Sequence, residues 1–247
     1  MKTILITGCS SGYGLETASH FHERGWNVVA TMRTPNEDLL PRSDRMHVQA
    51  LDVTEPASIE AAIARSGPID ALVNNAGIGL FGAFEVTPMA TVHDVFATNV
   101  FGTMATTRAV LPGMRVRSSG VIVNVTSTVT LAPMPLVSVY TASKTAITGF
   151  TGSLRLELEG FGIRVKLVEP GYGPGTAFGR NSQARMEGLV PEAYGPFAAR
   201  TFAAYGQPAA VTSASDVAHA IWDAVHDTTD RLHFAAGADA VALSAST

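Results

Sequence analysis

Short runs rich in β-branched and other apolar residues recur along this chain between longer stretches of helical character, a rhythm that few architectures accept. The candidate strands are residues 3–7, 27–32, 47–51, 71–74, 120–126, 163–168 and 232–235. Several are apolar throughout, as strands covered on both faces must be. The candidate helices are 12–24, 56–65, 88–111, 136–161 and 213–226. Thr87 is placed to cap a helix with Pro88 at its first position, and Ser213 or Ser215 to cap the last helix ahead of Asp216. The expected architecture is a parallel α/β sheet with helices on both faces. No linker, repeat or low-complexity tract divides the 247 residues, which read as one domain spanning 1–247. Only residues 176–208 break the rhythm: Gly, Pro and aromatics replace it, and that texture near strand ends predicts a lid.

Charge removes several classes of function. Lys plus Arg is 17 against 21 for Asp plus Glu, a net −4 with no run of like charge, so nucleic acid is not an expected partner. The lone Cys9 excludes an intrachain disulfide and suits a reducing cytoplasm, the expected location. Ile4, Leu5 and Ile6 are the only consecutive apolar residues before Thr7 and Gly8, which falls short of an export signal. Residues 118–143 carry no charge, but Asn124, Pro133, Pro135 and many hydroxyls make them a buried segment of a soluble domain rather than a membrane span.

Thr7-Gly8-Cys9-Ser10-Ser11-Gly12-Tyr13-Gly14 follows the first strand and opens the first helix. Glycines there let the backbone turn tightly and approach an anion, and unpaired amides at the helix start face it, as at a dinucleotide pyrophosphate. A plain strand-to-helix turn is the alternative. The place of the string at the first βα junction favours the binding site, and no Lys-Ser or Lys-Thr follows its last glycine as a P-loop requires. The second strand ends Ala30-Thr31-Met32-Arg33, where a chain selecting NAD commonly carries Asp or Glu. Met32 takes that place and Arg33 can pair bidentately with a 2′-phosphate, so NADP(H) is expected over NAD(H). The other reading of Arg33 is an ordinary surface residue at a strand end. Ser11 can add a hydroxyl to the same phosphate. Asp52, followed by Val53 after the third strand, either lies beside an adenine amino group or is a solvated turn carboxylate.

Tyr140 and Lys144, four apart near the start of a long helix, share one face. A phenol of ordinary pKa about 10 is expected to ionise more readily beside an ammonium and a positive nicotinamide ring, and so to exchange a proton with a substrate oxygen. Strand 120–126 runs into Ser127, thirteen residues before Tyr140. A strand end and the next helix start meet at the carboxyl edge of a parallel sheet, where ligands bind, so Ser127 can hydrogen-bond the reacting carbonyl. A turn or cap hydroxyl is its plainer reading, and Thr126 or Thr128 are alternatives to it.

Taken together, Thr7-Gly8-x-x-x-Gly12-x-Gly14, Asn74-Asn75-Ala76-Gly77, Asn99, Ser127, Tyr140-x-x-x-Lys144 and Pro170-Gly171 resemble, in order and spacing, the short-chain dehydrogenase/reductase family in its roughly 250-residue form. The resemblance covers the chain from about Lys2 to Val225, and the combination of Cys9-Ser10-Ser11 with Ala30-Thr31-Met32-Arg33 is similar to NADP-preferring members. It implies a three-layer Rossmann-like fold of strand order 3-2-1-4-5-6-7, with hydride transfer between nicotinamide and a carbonyl or alcohol carbon. It further implies that Tyr140 is the general acid/base, that Ser127 orients the substrate oxygen, and that Lys144 binds the nicotinamide ribose and lowers the phenol pKa. Asn99 would hold a water of the proton relay. Gly8, Ser10, Ser11, Gly12, Tyr13, Gly14, Asn75, Ala76 and Gly77 would line the cofactor, with Pro170, Gly171 and Thr176 at its nicotinamide end. A homotetramer or dimer formed through the helices of Asn99 and Tyr140 is implied as well, with Ala105, Ala109, Ala146 and Gly149 permitting close approach or simply packing on the sheet.

Phe81, Phe84, Leu131, Met134, Tyr172, Phe178 and Phe202 are expected either to wall a pocket for an apolar carbonyl compound or to pack the lid or a subunit contact. Arg180 and Arg185 are the few charges projecting there. Two rival functions have sequence support. Gly8-Cys9-Ser10-Ser11-Gly12 also fits a hydrolase nucleophile elbow with Asp216 and His219 downstream, but too few residues precede it to build an oxyanion hole. A protein that binds NADP(H) as a sensor without turnover is the other. No metal is expected: His20 and His22 lie about 200° apart on a helix, and His219 and His226 lack neighbouring ligands.

Overall fold

The computed structural model describes residues 1–205 and 210–246, with the backbone alone of Arg180; residues 206–208 of the expected lid lie outside the described residues. Seven parallel strands form one sheet in the order β3-β2-β1-β4-β5-β6-β7: β1 (Thr3–Thr7), β2 (Asn27–Met32), β3 (Met46–Ala50), β4 (Ala71–Asn74), β5 (Gly120–Val125), β6 (Ile163–Pro170) and β7 (His233–Ala236). This is the implied order, and it puts the reversal of winding between β1 and β4, whose carboxyl ends open a crevice.

Side chains alternate across the strands as the period of two demands. Ile4, Ile6, Val121 and Val123 face a core shared with Phe21 of α1 (Gly12–Glu23) and Ile221 of α8 (Ala214–His226). Leu5 and Ile122 face the other core, under α2 (Pro56–Ser66), α4 (Thr103–Val116) and α5 (Ser138–Leu158). His20 packs its ring against His219 and Trp222 between α1 and α8, and burial pushes its pKa down to about 4.

The helix expected at 88–111 differs most. Pro88 is itself the extended N-cap of α3 (Met89–Phe96), and the Thr87 hydroxyl is spent on the Ala83 carbonyl, so Thr87 is not the cap. Residues Ala97–Gly102 then widen into a π-turn. Gly102 rests on Val53, where a Cβ would come within 2.7 Å of its side chain, and Asn99 is drawn toward Ile78. Past Leu111 the chain stays helical through Pro112, and Met114 beyond it fills the space over Gly120. At α5 the expected start at Leu136 fails: its φ of 62° is left-handed, and its carbonyl accepts the Gly82 amide. Of the two candidate caps for α8, Ser213 serves, closing a reciprocal box with Asp216.

Two helices, α6 (Phe178–Met186) and α7 (Gly195–Tyr205), stand where no helix was expected. Leu189 pins that excursion beside Leu80, Val95 and Val139. A short α9 (Ala238–Ser244) follows β7. Among the described residues, no helix is long and apolar enough to cross a membrane.

Candidate active site

The turn after β1 is built by close backbone approach. Gly8 (φ +76°) lies against Ala76, where a Cβ would come within 2.8 Å of the Ala76 Cα, and a Cβ at Gly14 would strike the Gly8 carbonyl. Asn75 Nδ2 donates to the Thr7 and Gly8 carbonyls at 2.9 and 3.2 Å, and Thr7 Oγ1 accepts the amides of Asn75 and Ala76, both at 3.0 Å. The turns after β1 and β4 are thereby clipped together. Ser11 caps α1 with extended backbone and no side-chain bond, leaving first-turn amides open.

One cavity of about 620 Å³ runs from this turn across the sheet edge. Gly8, Ser10, Ser11, Gly12, Tyr13, Arg33, Asp52, Val53, Asn75, Ala76, Gly77, Ser127, Tyr140, Lys144, Pro170, Gly171 and Thr176 all line it, with Gly12 lying against Thr176. Gly14 lies buried behind the turn. Arg33 is exposed and, among the described residues, makes no ion pair. Asp52 Oδ1 accepts from the Thr54 amide and hydroxyl at 2.9 and 2.7 Å, so it is a turn carboxylate that also borders the cavity.

The reacting end joins β5 to α5. Ser127 follows β5 and caps a single turn at Thr128–Thr130, its Oγ accepting the Val129 amide at 3.4 Å. Tyr140 sits in the first turn of α5, its ring 5.7 Å from that of Phe178. Burial pushes the phenol pKa up to about 12, opposed by its hydrogen bond with Ser127. The protein groups alone therefore raise it, whereas the expected lowering concerns the phenol beside an oxidised nicotinamide ring. Lys144 Nζ lies 5.9 Å from the Tyr140 ring centroid and donates to the Val125 carbonyl at 2.9 Å, and burial pulls its pKa down to about 8. Ser127, Tyr140 and Lys144 are thus brought together.

Asn99 stands behind this group. Its Oδ1 accepts the Ile78 amide at 2.8 Å, and its Nδ2 donates to the Ile78 carbonyl and to Ser143 Oγ, both at 3.0 Å. Its carbonyl takes the Thr103 hydroxyl. Gly77 keeps the space between them open, since a Cβ there would lie 3.3 Å from Asn99 Oδ1 and 3.5 Å from Lys144 Nζ.

Of the expected apolar wall, Phe81, Met134, Tyr172 and Phe178 border the cavity. Phe84 is 60 % exposed and Phe202 44 %, and neither borders it, nor does Leu131. Sequence reasoning missed Thr98 on the wall; nothing in its local pattern marks it. Asp216 and His219 do not border the cavity with Ser10, which leaves the hydrolase elbow without its partners. Among the described residues, no three His, Cys, Asp or Glu cluster as metal ligands.

The cradle fits a dinucleotide: glycines where a side chain would fill the turn, open helix amides, and a free guanidinium and a buried ammonium on its wall. A profile described as short chain dehydrogenase matches residues 2–187. The chain belongs to the short-chain dehydrogenase family. Retinol dehydrogenase 8 from Homo sapiens is 36 % identical over 249 residues, covering 92 % of this chain and 78 % of that one. Other curated relatives are spanned for less than two thirds of their length. Among solved structures, a short-chain dehydrogenase from Streptomyces avermitilis superposes with a TM-score of 0.83 at 32 % identity, covering 99 % of this chain and 91 % of its own. A serine dehydrogenase in its closed form with NADP+ gives 0.79 at 29 % identity, with 94 % of each chain covered.

Proposed function

We propose that this short-chain dehydrogenase is an NADP(H)-dependent oxidoreductase that interconverts an apolar carbonyl compound and its alcohol. The observation that carries the reading is the meeting of Ser127, Tyr140 and Lys144 on the wall of the same cavity that the glycine turn and Arg33 border. The dinucleotide supplies, when bound, the hydride and, once oxidised, a positive ring beside the phenol. Ser127 orients the substrate oxygen, and Tyr140 gives it a proton. Lys144 binds the nicotinamide ribose and adds positive charge near the phenol, while Asn99 fixes Ile78 and Ser143 around that group and holds a water of the proton relay. With its pKa near 12, Tyr140 holds its proton at neutral pH, which suits reduction; alcohol oxidation needs phenolate and gains from alkaline conditions.

Phe81, Met134, Tyr172 and Phe178 suit an apolar substrate body, and the excursion carrying α6 and α7 serves as its lid. A homo-oligomer through the helices of Asn99 and Tyr140 is supported by Phe101 and Leu156, 61 % and 67 % exposed on those helices; sedimentation at equilibrium tests it. The activity is tested by loss of reduced-nicotinamide absorbance with NADPH and NADH against ketones, aldehydes and quinones. NADPH consumption that depends on the carbonyl supports the reading; tight NADPH binding with no consumption across the panel overturns it.

Arg33 is the cofactor discriminator in this reading. Arg33→Ala removes a charged pairing with the 2′-phosphate, so KM for NADPH is expected to rise about 10- to 100-fold while KM for NADH stays nearly constant. Equal changes for both cofactors would show that Arg33 is only a surface residue.

A further inference from the structure

The chain leaves the sheet at Gly171, directly after β6, and returns at Thr212, just ahead of α8. Both ends of that excursion converge on one side chain from the far end of the sequence. Asp239, in the first turn of α9, accepts the Tyr172 amide on Oδ2 at 2.6 Å and the Thr212 hydroxyl on Oδ1 at 2.7 Å. The buried Thr212 hydroxyl also accepts the Gly171 amide at 3.1 Å and lies 2.9 Å from the Ala236 carbonyl. The two ends are joined directly as well, the Thr212 amide donating to the Tyr172 carbonyl at 2.8 Å.

The backbone around this junction leaves no room for side chains. A Cβ at Gly171 would collide with the Asp239 carboxylate, and one at Gly237 (φ +97°) with the Thr212 hydroxyl. On the opposite side, a Cβ at Gly173 would collide with the Tyr13 hydroxyl, which reaches across from the first turn of α1. Residues 171–173 therefore lie between a carboxylate behind and a phenol in front, and Gly171, Tyr172, Gly173 and Tyr13 all border the cavity beside Tyr140.

We infer that Asp239, acting with Thr212, is the positioning residue that sets the 171–173 wall of the reaction cavity and anchors both ends of the lid. This inference rests on the dehydrogenase reading of the site. An ionised carboxylate presents two acceptor oxygens, and two donors aim at it, one on each; Asp239→Ala removes both acceptors at once. A residue that only stabilised α9 would leave the wall in place when altered.

The test compares Asp239→Ala, Thr212→Val and Thr212→Ser by hydrogen exchange, NADPH binding and carbonyl reduction. In the Ala and Val variants the Gly171 and Tyr172 amides are expected to exchange at least about tenfold faster while β1 and β5 keep wild-type protection. The kcat should fall about 10- to 100-fold with the NADPH dissociation constant held to within about threefold, because a displaced wall misaligns the reaction without removing the adenosine contacts. Thr212→Ser, which keeps the hydroxyl, should restore both. Unchanged exchange at 171–172 in either folded variant overturns the inference, as does loss of protection spread evenly over the sheet. If the wild type reduces nothing, the dehydrogenase reading fails, and the exchange measurement alone still decides whether Asp239 holds the wall.

Discussion

Replacing Tyr140 by Phe is expected to lower carbonyl reduction by a factor of about 10² to 10⁴ while NADPH binds as before. The change deletes one oxygen and keeps the ring that packs 5.7 Å from Phe178, so the wall of the cavity survives. What disappears is the proton donor. The phenol is neutral near pH 7 in the folded and unfolded chain alike, so the variant loses only the Ser127 hydrogen bond, about 1 kcal/mol of stability. The measurement is single-turnover oxidation of bound NADPH by an excess of ketone, alongside a cofactor titration. A rate equal to wild type would remove Tyr140 from the chemistry, and a parallel loss of NADPH affinity would mean that the ring had moved. The same phenol sets the direction of pH response: reduction is steady through neutrality, and alcohol oxidation climbs as the solution becomes alkaline.

Much of this arrangement was legible in the chain because buried parallel strands must be nearly all apolar, and six of the seven runs fell within one residue of the strands that form. The exception, β6, runs two residues further to Pro170, because Glu169 and Pro170 pair with Ala235 and Ala236 of β7, a partner no local pattern reveals. The π-turn at Ala97–Gly102 was hidden for the same reason: it answers to Val53 and Ile78, both distant in sequence. α6 is poor in apolar residues, and α7 opens on Gly195 and Pro196, residues that read locally as loop.

At the site, the spacing of Tyr140 and Lys144 and the place of Ser127 at a strand end were enough to bring the three together. Their protonation was not legible. An ammonium one turn from a phenol suggests an easily ionised phenol, but burial of the phenol in the fold, which no local pattern reveals, raises its pKa instead. Asp239 carries no local sign of its role, since its partners Tyr172 and Thr212 lie 67 and 27 residues away.

Lys144→Met is expected to make the protein more stable and far less active. Burial brings the lysine from its ordinary 10.5 down to about 8, so at pH 7 the folded state carries an ammonium at a cost on the order of 3 kcal/mol. Methionine fills a similar volume without that charge, but it leaves the Val125 carbonyl without its 2.9 Å donor, a loss of about 1 kcal/mol. The net gain of about 2 kcal/mol corresponds to a rise of roughly 4–8 °C in Tm for a chain of this size. Between about 8 and 10.5 the unfolded chain holds the lysine proton and the folded chain releases it, so the lysine's cost fades as pH rises and the advantage of the variant shrinks with it. Cys9 and Tyr140, both pushed up to about 12 by burial, act in the opposite sense above their ordinary 9 and 10. Cys9 does so in both proteins and is removed by subtracting one urea melt from the other at each pH; Tyr140, beside the altered position, stays largely protonated in both when the comparison is kept below about pH 9.5. Reduction by the variant should fall about 10²-fold or more, since both the ribose contact and the positive charge beside the phenol are gone. A variant less stable than the parent at pH 7, or an advantage that does not change with pH, would show that no buried ammonium is being held in this fold at the expense of stability.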